Sequence, residues 1–269
     1  MISHLYSTDT ASQTAVLQAK NVSVYYGSTL ALRNVSLDVP KNQITALIGP
    51  SGSGKSTLLR CFNRTNELIP GARLDGEIKL NGQNLYAPAL AAIAVRRKVG
   101  IVVQKPNLFP KSIYANLAYG LRIHGLSGGD EERIETALRK VWLWDEVKDK
   151  LRQNALSLSK GQQQRLCIAR TIALEPELIL LDEACSALDP ATTMRIEDLL
   201  QQLKQEYSIV MATHNLKQAS RASDWAAFLS TEETPQGRVG YLVEHAPTQT
   251  IFNDPSETLT RFYVSGHFS

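Results

Sequence analysis

The chain has 269 residues, of which 43% are hydrophobic and 20% are charged, and its formal net charge is +3. These values are typical of a globular protein built around one large domain, and the small net charge without a long Lys or Arg block argues against nucleic-acid binding. No stretch reaches the roughly 18 apolar residues that a membrane span requires, so we expect any role at a membrane to come through a partner.

The first elements in chain order predict a tail followed by an antiparallel β portion. Residues 1–16 lack the basic start and apolar core of a secretory signal, and we expect a flexible tail there. Apolar and polar residues alternate over 18–39 and again over 74–82, which predicts antiparallel strands, the second one followed by a turn at Asn81-Gly82.

The rest of the chain predicts a parallel α/β core. Four runs are apolar on consecutive residues, as expected for strands buried on both faces of a parallel sheet. These runs are 44–49, 99–104, 178–182 and 209–214. Apolar residues at helical spacing lie between them, at 134–142 and 192–207. We expect a single domain over 17–269 that contains a helical insertion at about 106–160.

A phosphate-binding loop follows the first buried run. The pattern G-x-x-x-x-G-K-[ST] occurs after a predicted strand and opens a predicted helix, which is the context that this motif requires. Its residues are Gly49, Pro50, Ser51, Gly52, Ser53, Gly54, Lys55 and Ser56, with Thr57 next in the helix. The backbone N–H groups of such a loop face a phosphate chain, Lys55 would reach the β- and γ-phosphates, and Ser56 would bind Mg²⁺. The alternative is a flexible Gly/Ser loop.

The third buried run ends in two carboxylates, Asp182 and Glu183. A strand that delivers Asp182 beside a bound Mg²⁺ is the second element of a nucleotide-hydrolysing site, and Glu183 is placed to polarise the attacking water. The alternative is a structural one, because strands often end in Asp at a turn. Together with the phosphate loop, the carboxylates predict an NTPase.

The segment Leu158-Ser159-Lys160-Gly161-Gln162 narrows the class, because it resembles the LSGGQ signature of the ABC ATPase family. The alternative is a simple helix cap at Ser159. The resemblance extends, in family order, to four further elements. They are Tyr26 before Gly27 as the adenine-stacking aromatic, Gln104 as the Q-loop, Ser186-Ala187-Leu188-Asp189 as the D-loop, and His214 as the switch histidine.

The resemblance implies ATP as the nucleotide, Mg²⁺ as its metal and a dimer of two copies as the working form. Ser159, Gly161 and Gln162 would face the γ-phosphate of the ATP bound by the partner. Ser56, Gln104 and Asp182 would surround the metal. The implied catalytic residues are Lys55, Glu183 and His214.

Three features depart from the family pattern. Lys160 replaces the middle glycine of the signature, and we expect it to face solvent. Ala184-Cys185 stands where the family commonly has Pro-Thr, which predicts a less rigid approach to the D-loop. Residues 230–240 predict a polar loop, longer than the turn usual at this place.

Segments outside the shared motifs resemble the phosphate-importing branch of the family. These segments are 63–78, 104–125, 143–151, 161–170 and 262–268. This resemblance implies a subunit at the cytoplasmic face of the plasma (inner) membrane, bound to two polytopic permease subunits and, through them, to a phosphate-binding protein. The three cysteines, which have no paired spacing, also fit a cytosolic location.

Several alternatives stay open on the sequence. The ATPase could energise import of another solute such as a polar amino acid, although the match at 63–78 argues against this. A soluble ABC-type ATPase acting on DNA or ribosomes would usually carry coiled coils, zinc-binding cysteine pairs or tandem cassettes, and the chain shows none of these. The resemblance places residues 104–125 in the region that docks on the membrane subunit. The alternative is that the basic and aromatic residues from Lys105 to Ser112 serve packing alone.

Overall fold

A computed structural model describes residues 15–126, 128–235 and 237–266 of the chain. The tail predicted over 1–16 lies outside the described residues, except for Ala15 and Val16, which begin the first strand. The end of the 262–268 segment, from His267 onward, also lies outside them. Within the described ranges, no helix is both long enough and apolar enough to cross a bilayer.

The described strands belong to one sheet. They are β1 (Ala15–Tyr26), β2 (Thr29–Pro40), β3 (Ile44–Ile48), β4 (Ala72–Leu80), β5 (Gln83–Asn84), β6 (Val99–Val103), β7 (Leu178–Asp182), β8 (Ser208–Ala212), β9 (Trp225–Thr234) and β10 (Gly237–Pro247). Their spatial order is β5-β4-β1-β2-β10-β9-β3-β8-β7-β6. The four buried runs form the parallel part, β3-β8-β7-β6, while β1, β2, β4 and β5 pair antiparallel.

Helices flank the sheet and fill the connection between β6 and β7. They are α1 (Lys55–Phe62), α2 (Ala92–Lys98), α3 (Ile113–Ile123), α4 (Asp130–Lys140), α5 (Trp144–Val147), α6 (Lys160–Ile172), α7 (Pro190–Leu203), α8 (Leu216–Ala222), α9 (Thr248–Asn253) and α10 (Thr258–Val264). The helices α3, α4 and α5 lie within the predicted insertion. The helix predicted over 134–142 ends at Lys140, and Trp142 has a left-handed φ of 53°.

The parallel strands are mostly apolar on consecutive residues because each face of the sheet contacts a different core. On β7, Ile179 and Leu181 belong to the core shared with α3, α4, α6 and α7, while Leu178 and Leu180 face the core under α1 and the antiparallel strands. Successive side chains of a strand point to opposite faces, so burial on both faces requires an unbroken apolar run. The predicted architecture, a P-loop α/β core with an antiparallel β portion and a helical insertion, which the resemblance to the ABC ATPase family implies, is confirmed.

The prediction of a long polar loop at 230–240 is wrong. Strand β9 continues to Thr234 and β10 begins at Gly237, so the segment is mostly a β-hairpin. Charged residues predicted a loop here because they are typical of exposed segments, and these residues are exposed on the hairpin. They form ion pairs, Glu232 with Arg33 of β2 and Glu233 with Arg238. Cross-strand pairing on an exposed hairpin face tolerates charged residues.

Candidate nucleotide-binding and hydrolysis site

The phosphate loop has a backbone shape that only glycine permits at two of its positions. Gly49 has φ 147°, and a Cβ placed there would lie 2.1 Å from the carbonyl oxygen of Leu229 on β9. Gly54 has φ 90°, and a Cβ there would lie 2.3 Å from Cδ2 of Leu32 on β2. Both φ values lie in a region that side chains disfavour. The loop therefore passes closely over β9 and β2 before α1 begins at Lys55.

The ammonium group of Lys55 is held underneath this loop. Its Nζ donates hydrogen bonds to the carbonyl oxygens of Gly49 at 2.7 Å and Pro50 at 2.9 Å, and the residue is 6% exposed. Burial lowers the pKa of Lys55, while the charges of Glu183 and Asp182 act in the opposite direction. The loop thus presents a buried cation beside exposed Ser51 and Gly52, the tip of the predicted phosphate cradle.

Two oxygen groups meet next to this lysine. Ser56, in the first turn of α1, donates its hydroxyl to Oδ1 of Asp182 at the end of β7, with 2.6 Å between the oxygens. A hydroxyl and a carboxylate are the hard oxygen ligands that Mg²⁺ prefers, and protein sites for Mg²⁺ complete the shell with water and phosphate oxygens. The donor set therefore fits the predicted metal at Ser56 and Asp182.

Glu183 and His214 meet at the ends of neighbouring strands. Nδ1 of His214 lies 3.2 Å from Oε1 of Glu183. Glu183 has a left-handed φ of 51°, and its N–H donates to the carbonyl oxygen of Ala212 at 3.0 Å. This bond ties the turn after β7 to the end of β8, so both side chains project at the same edge of the sheet.

Gln104 reaches the same edge from β6. Val103 pairs with Asp182, so the next residue lies beside the carboxylates. The amide Nε2 of Gln104 donates to the hydroxyl of Ser186 at 2.9 Å, and that hydroxyl donates to the carbonyl oxygen of Glu183 at 3.0 Å. The first serine of the D-loop thus bridges the Q-loop and the carboxylate turn. The metal-binding role of Gln104 stays a prediction.

Tyr26 lies at the end of β1, where the chain turns over Gly27 into β2. Its side chain is partly buried against the core under α1, and its hydroxyl is enclosed without a hydrogen-bond partner among the described residues. The predicted stacking of this ring on adenine stays a prediction.

The signature segment forms a capped helix start. Ser159 is the N-cap of α6, its Oγ accepts from the N–H of Gln162 at 3.3 Å, and Oε1 of Gln162 accepts from the N–H of Ser159 at 2.9 Å. This reciprocal capping box satisfies two of the free donors at the helix start. Gly161 packs against α7, since a Cβ there would lie 2.6 Å from Cγ2 of Thr192. The cap predicted as the structural alternative is present, and Lys160 is exposed as expected.

A carboxylate that the sequence analysis missed holds the signature helix. Oε2 of Glu146 accepts from Nε2 of Gln162 at 2.9 Å and from the buried guanidinium of Arg165 at 3.0 Å. Its Oε1 accepts from Arg165 at 2.9 Å and from Arg195 at 3.1 Å. Burial acts to raise the pKa of Glu146, but the hydrogen bonds from Arg165 and Gln162 outweigh it and the pKa is lowered. No spacing in the sequence relates Glu146 to the signature, so no pattern could have identified it.

Replacing Glu146 with alanine is expected to lower the free energy of unfolding by about 1–3 kcal/mol, because the 4% exposed Arg165 keeps its charge and loses its carboxylate partner, retaining the carbonyl oxygen of Trp142 as an acceptor. Chemical denaturation measures the difference. Because the pKa of Glu146 is lowered in the folded chain, the difference in free energy of unfolding between wild type and variant depends on pH. The difference is present at neutral pH and decreases as the pH falls through the pKa of folded Glu146.

The control is Asp145→Ala, which removes the neighbouring carboxylate. Asp145 is 82% exposed on its side chain and pairs only loosely with Lys148 at 3.4 Å, so we expect a loss below about 0.5 kcal/mol. Equal losses for the two variants would contradict a role of Glu146 in holding the helix.

The predicted site residues therefore fall into two groups. One group lies around the phosphate loop and the carboxylate edge, and the other lies at the start of α6. Within the described part of the chain, no hydrogen bond or ion pair joins Ser159, Gly161 or Gln162 to the phosphate loop. One copy of the chain thus carries the predicted site residues in two separate groups.

Comparisons with known proteins identify the family. Residues 32–186 match the family described as ABC transporter. The chain is 56% identical over 262 residues to "Phosphate import ATP-binding protein PstB 2" of Synechococcus sp. (strain JA-2-3B'a(2-13)), covering 97% of this chain and 99% of that protein. It is 54% identical over 260 residues to "Phosphate import ATP-binding protein PstB" of Synechococcus elongatus, covering 96% and 98%.

Solved structures share the fold. The structure of cbiO1 from Clostridium perfringens, part of the ABC transporter complex cbiONQ, superposes with a TM-score of 0.73 at 25% identity, covering 89% of this chain and 91% of that one. A bacterial Atm1-family ABC exporter with ATP bound superposes with a TM-score of 0.75 at 24% identity, covering 99% and 45%. The phosphate loop, the carboxylate edge and these relatives lead to one conclusion: the chain belongs to the ABC transporter ATPase family.

Proposed function

We propose that the chain is the ATP-hydrolysing subunit of an importer of inorganic phosphate, acting at the cytoplasmic face of the membrane. The observation that carries the hydrolysis is the Glu183–His214 pair at 3.2 Å, next to the Ser56–Asp182 pair and the buried ammonium of Lys55. The substrate rests on relatives named as phosphate import proteins at 54–58% identity over nearly the whole chain.

Each residue of the edge has a role in the hydrolysis. Lys55 binds the β- and γ-phosphates of ATP together with the N–H groups of the loop. Glu183 orients water for in-line attack and accepts its proton. His214 holds the carboxylate of Glu183 and contacts the γ-phosphate. Ser56, Asp182 and Gln104 would hold Mg²⁺, which, when bound, neutralises charge on the phosphate oxygens.

Within one copy, the residues at the start of α6 lie apart from those around the phosphate loop and the carboxylate edge, and this separation supports a dimer. Ser159 stands at the start of a 13-residue helix, whose N-terminal N–H groups favour an anion. In a head-to-tail pair, Ser159 and Gly161 of each copy would complete the site on the other copy. Two ATP molecules would then be bound between the subunits.

A cleft next to the Q-loop supports docking of a membrane subunit. It measures about 520 Å³ and lies between α2, α3 and α6. The large apolar side chains Ile93, Tyr119 and Ile123 are 52%, 46% and 52% exposed there. Such exposed apolar groups around a cleft mark interaction sites. Because Gln104 lies in the same connection, a permease bound in this cleft would sense the nucleotide site.

Phosphate uptake tests the proposal in cells. A strain that lacks this gene is complemented with the wild-type chain or with the Glu183→Gln chain, and uptake of labelled phosphate at limiting concentration is compared with uptake of a polar amino acid. We expect the wild type alone to restore phosphate uptake, with amino-acid uptake unchanged throughout. Loss of amino-acid uptake with normal phosphate uptake would contradict the substrate and leave the ATPase assignment in place.

A further inference from the structure

A buried glutamine outside all the family motifs holds the turn that carries His214. Gln218 lies in α8 and is 5% exposed. Its N–H donates to Oδ1 of Asn215, the N-cap of α8, at 3.1 Å. Its side chain points back from the helix, toward the edge of the sheet where Glu183 and His214 meet.

One end of this side chain holds the turn that carries His214. The Oε1 atom of Gln218 accepts the hydroxyl of Thr213 at 2.8 Å, and that hydroxyl oxygen accepts the N–H of Asn215 at 3.0 Å. Thr213 is 4% exposed, and its own N–H donates to the carbonyl oxygen of Leu47 at 3.1 Å. The residues on both sides of His214 are therefore fixed, while the ring itself remains exposed.

The buried amide nitrogen at the other end of the side chain lies near the thiol of Cys185, in the turn that carries Glu183. Burial raises the pKa of the Cys185 thiol to about 11, and the Gln218 side chain acts on it in the opposite direction, as a neighbouring donor does. The Nε2 atom of Gln218 is buried and has no standard hydrogen bond within the described residues. Cys185 is 7% exposed, and its turn is closed by the N–H of Ser186 donating to the carbonyl oxygen of Glu183 at 3.0 Å.

We propose that Gln218 is a positioning residue for ATP hydrolysis, which sets the contact between Glu183 and His214 by holding the turn that carries His214. The inference rests on the proposed ATPase function. The hydrogen bond from Thr213 to Gln218 fixes the residue before His214, whereas the Glu183–His214 contact alone joins two partly exposed groups. Gln218 contacts neither the phosphate loop nor the Ser56–Asp182 pair within the described contacts, so its removal affects the hydrolysis step and leaves nucleotide binding intact.

The test measures single-turnover ATP hydrolysis and ATP affinity on the purified full chain. We expect Gln218→Ala to lower the hydrolysis rate about five- to thirtyfold, as the loss of a buried hydrogen-bond partner does, with ATP affinity within about twofold of wild type. The matched control is Gln201→Ala, which removes another amide bonded to α8, through the carbonyl oxygen of Ala222 at 2.8 Å. We expect wild-type hydrolysis from that control.

A second pair of variants covers the case in which Gln218→Ala fails to fold. Thr213→Ser keeps the hydroxyl that Gln218 accepts, and Thr213→Val removes it at similar volume. We expect Thr213→Ser to hydrolyse ATP within about twofold of wild type and Thr213→Val to show the same loss as Gln218→Ala. Equal rates for the two threonine variants would overturn the inference.

A double-mutant cycle separates positioning from a general loss of stability. If Gln218 acts through His214, then Gln218→Ala in a His214→Ala background causes no further loss of rate. The inference would be overturned if the rate losses of the two single substitutions multiply in the double variant. It would also be overturned if ATP affinity falls as much as the hydrolysis rate. A wild-type chain without ATP hydrolysis would instead contradict the proposed function itself, and a wild-type rate in Gln218→Ala would contradict only the positioning role.

Discussion

Glu183→Gln is expected to lower ATP turnover by about 10²–10⁴-fold, the contribution typical of a positioned general base. The amide has the shape of the carboxylate but cannot accept the proton of the attacking water. Nucleotide binding should survive, because Lys55 and the Ser56–Asp182 pair are unchanged. Steady-state phosphate release measures the turnover, and equilibrium binding of a fluorescent ATP analogue measures the affinity.

The same variant should accumulate as an ATP-bound dimer, because closure occurs and hydrolysis does not reopen it. Size-exclusion chromatography with light scattering, with and without ATP, checks this expectation. The control is Glu233→Gln on the β9–β10 hairpin, whose side chain is 72% exposed and pairs with Arg238; it should behave as wild type. Wild-type turnover in Glu183→Gln would remove this residue from the role of base.

Lys55→Ala is expected to weaken ATP binding by about ten- to hundredfold, the loss that follows from a charged hydrogen-bond donor worth about 1.5–3 kcal/mol. The ammonium is buried under the loop, and the carbonyl oxygens of Gly49 and Pro50 hold it there. Because the charge already lies at the loop, binding requires little rearrangement of the side chain. Isothermal titration with ATP and Mg²⁺ measures the dissociation constant.

The control for this variant is Lys41→Ala, an exposed lysine in the turn between β2 and β3. Both substitutions remove one positive charge, so a nonspecific effect of net charge would weaken ATP binding equally in the two variants. Thermal melting without nucleotide then checks whether Lys55→Ala remains folded. If Lys55→Ala is folded and binds ATP with wild-type affinity, then Lys55 does not bind the phosphates of ATP.

The sequence predicted the parallel core well because burial on both faces leaves a strong signal. Strands β3, β6, β7 and β8 each overlap one of the four predicted runs. The β9–β10 hairpin was missed because half of it lies in solvent: Ser230 is buried, but Glu232 and Glu233 are exposed and read as loop residues. An exposed strand face has few compositional constraints.

The site was predictable where chemistry fixes residue types at fixed spacing along the chain, as in the phosphate loop and the Asp182-Glu183 pair. Glu146 and Gln218 depend on tertiary contacts instead, with partners 16 to 49 residues away for the first and a partner on the preceding loop for the second. The sequence predicted a less rigid approach to the D-loop at Ala184-Cys185. The turn is closed instead: both residues are buried, and Leu188 N–H donates to the carbonyl oxygen of Cys185 at 3.1 Å.

The close approach of the phosphate loop to β9 and β2 means that its shape is set by the sheet. Gly49 lies against Leu229, Gly54 lies against Leu32, and a Cβ on Gly240 of β10 would come within 2.3 Å of the carbonyl oxygen of Ser53. A loop held from below on three strands is preorganised, so its ordering entropy is lost when the protein folds and not when nucleotide binds. We therefore expect nucleotide affinity to respond to substitutions at Leu32, Leu229 and Gly240, which support the loop from the sheet.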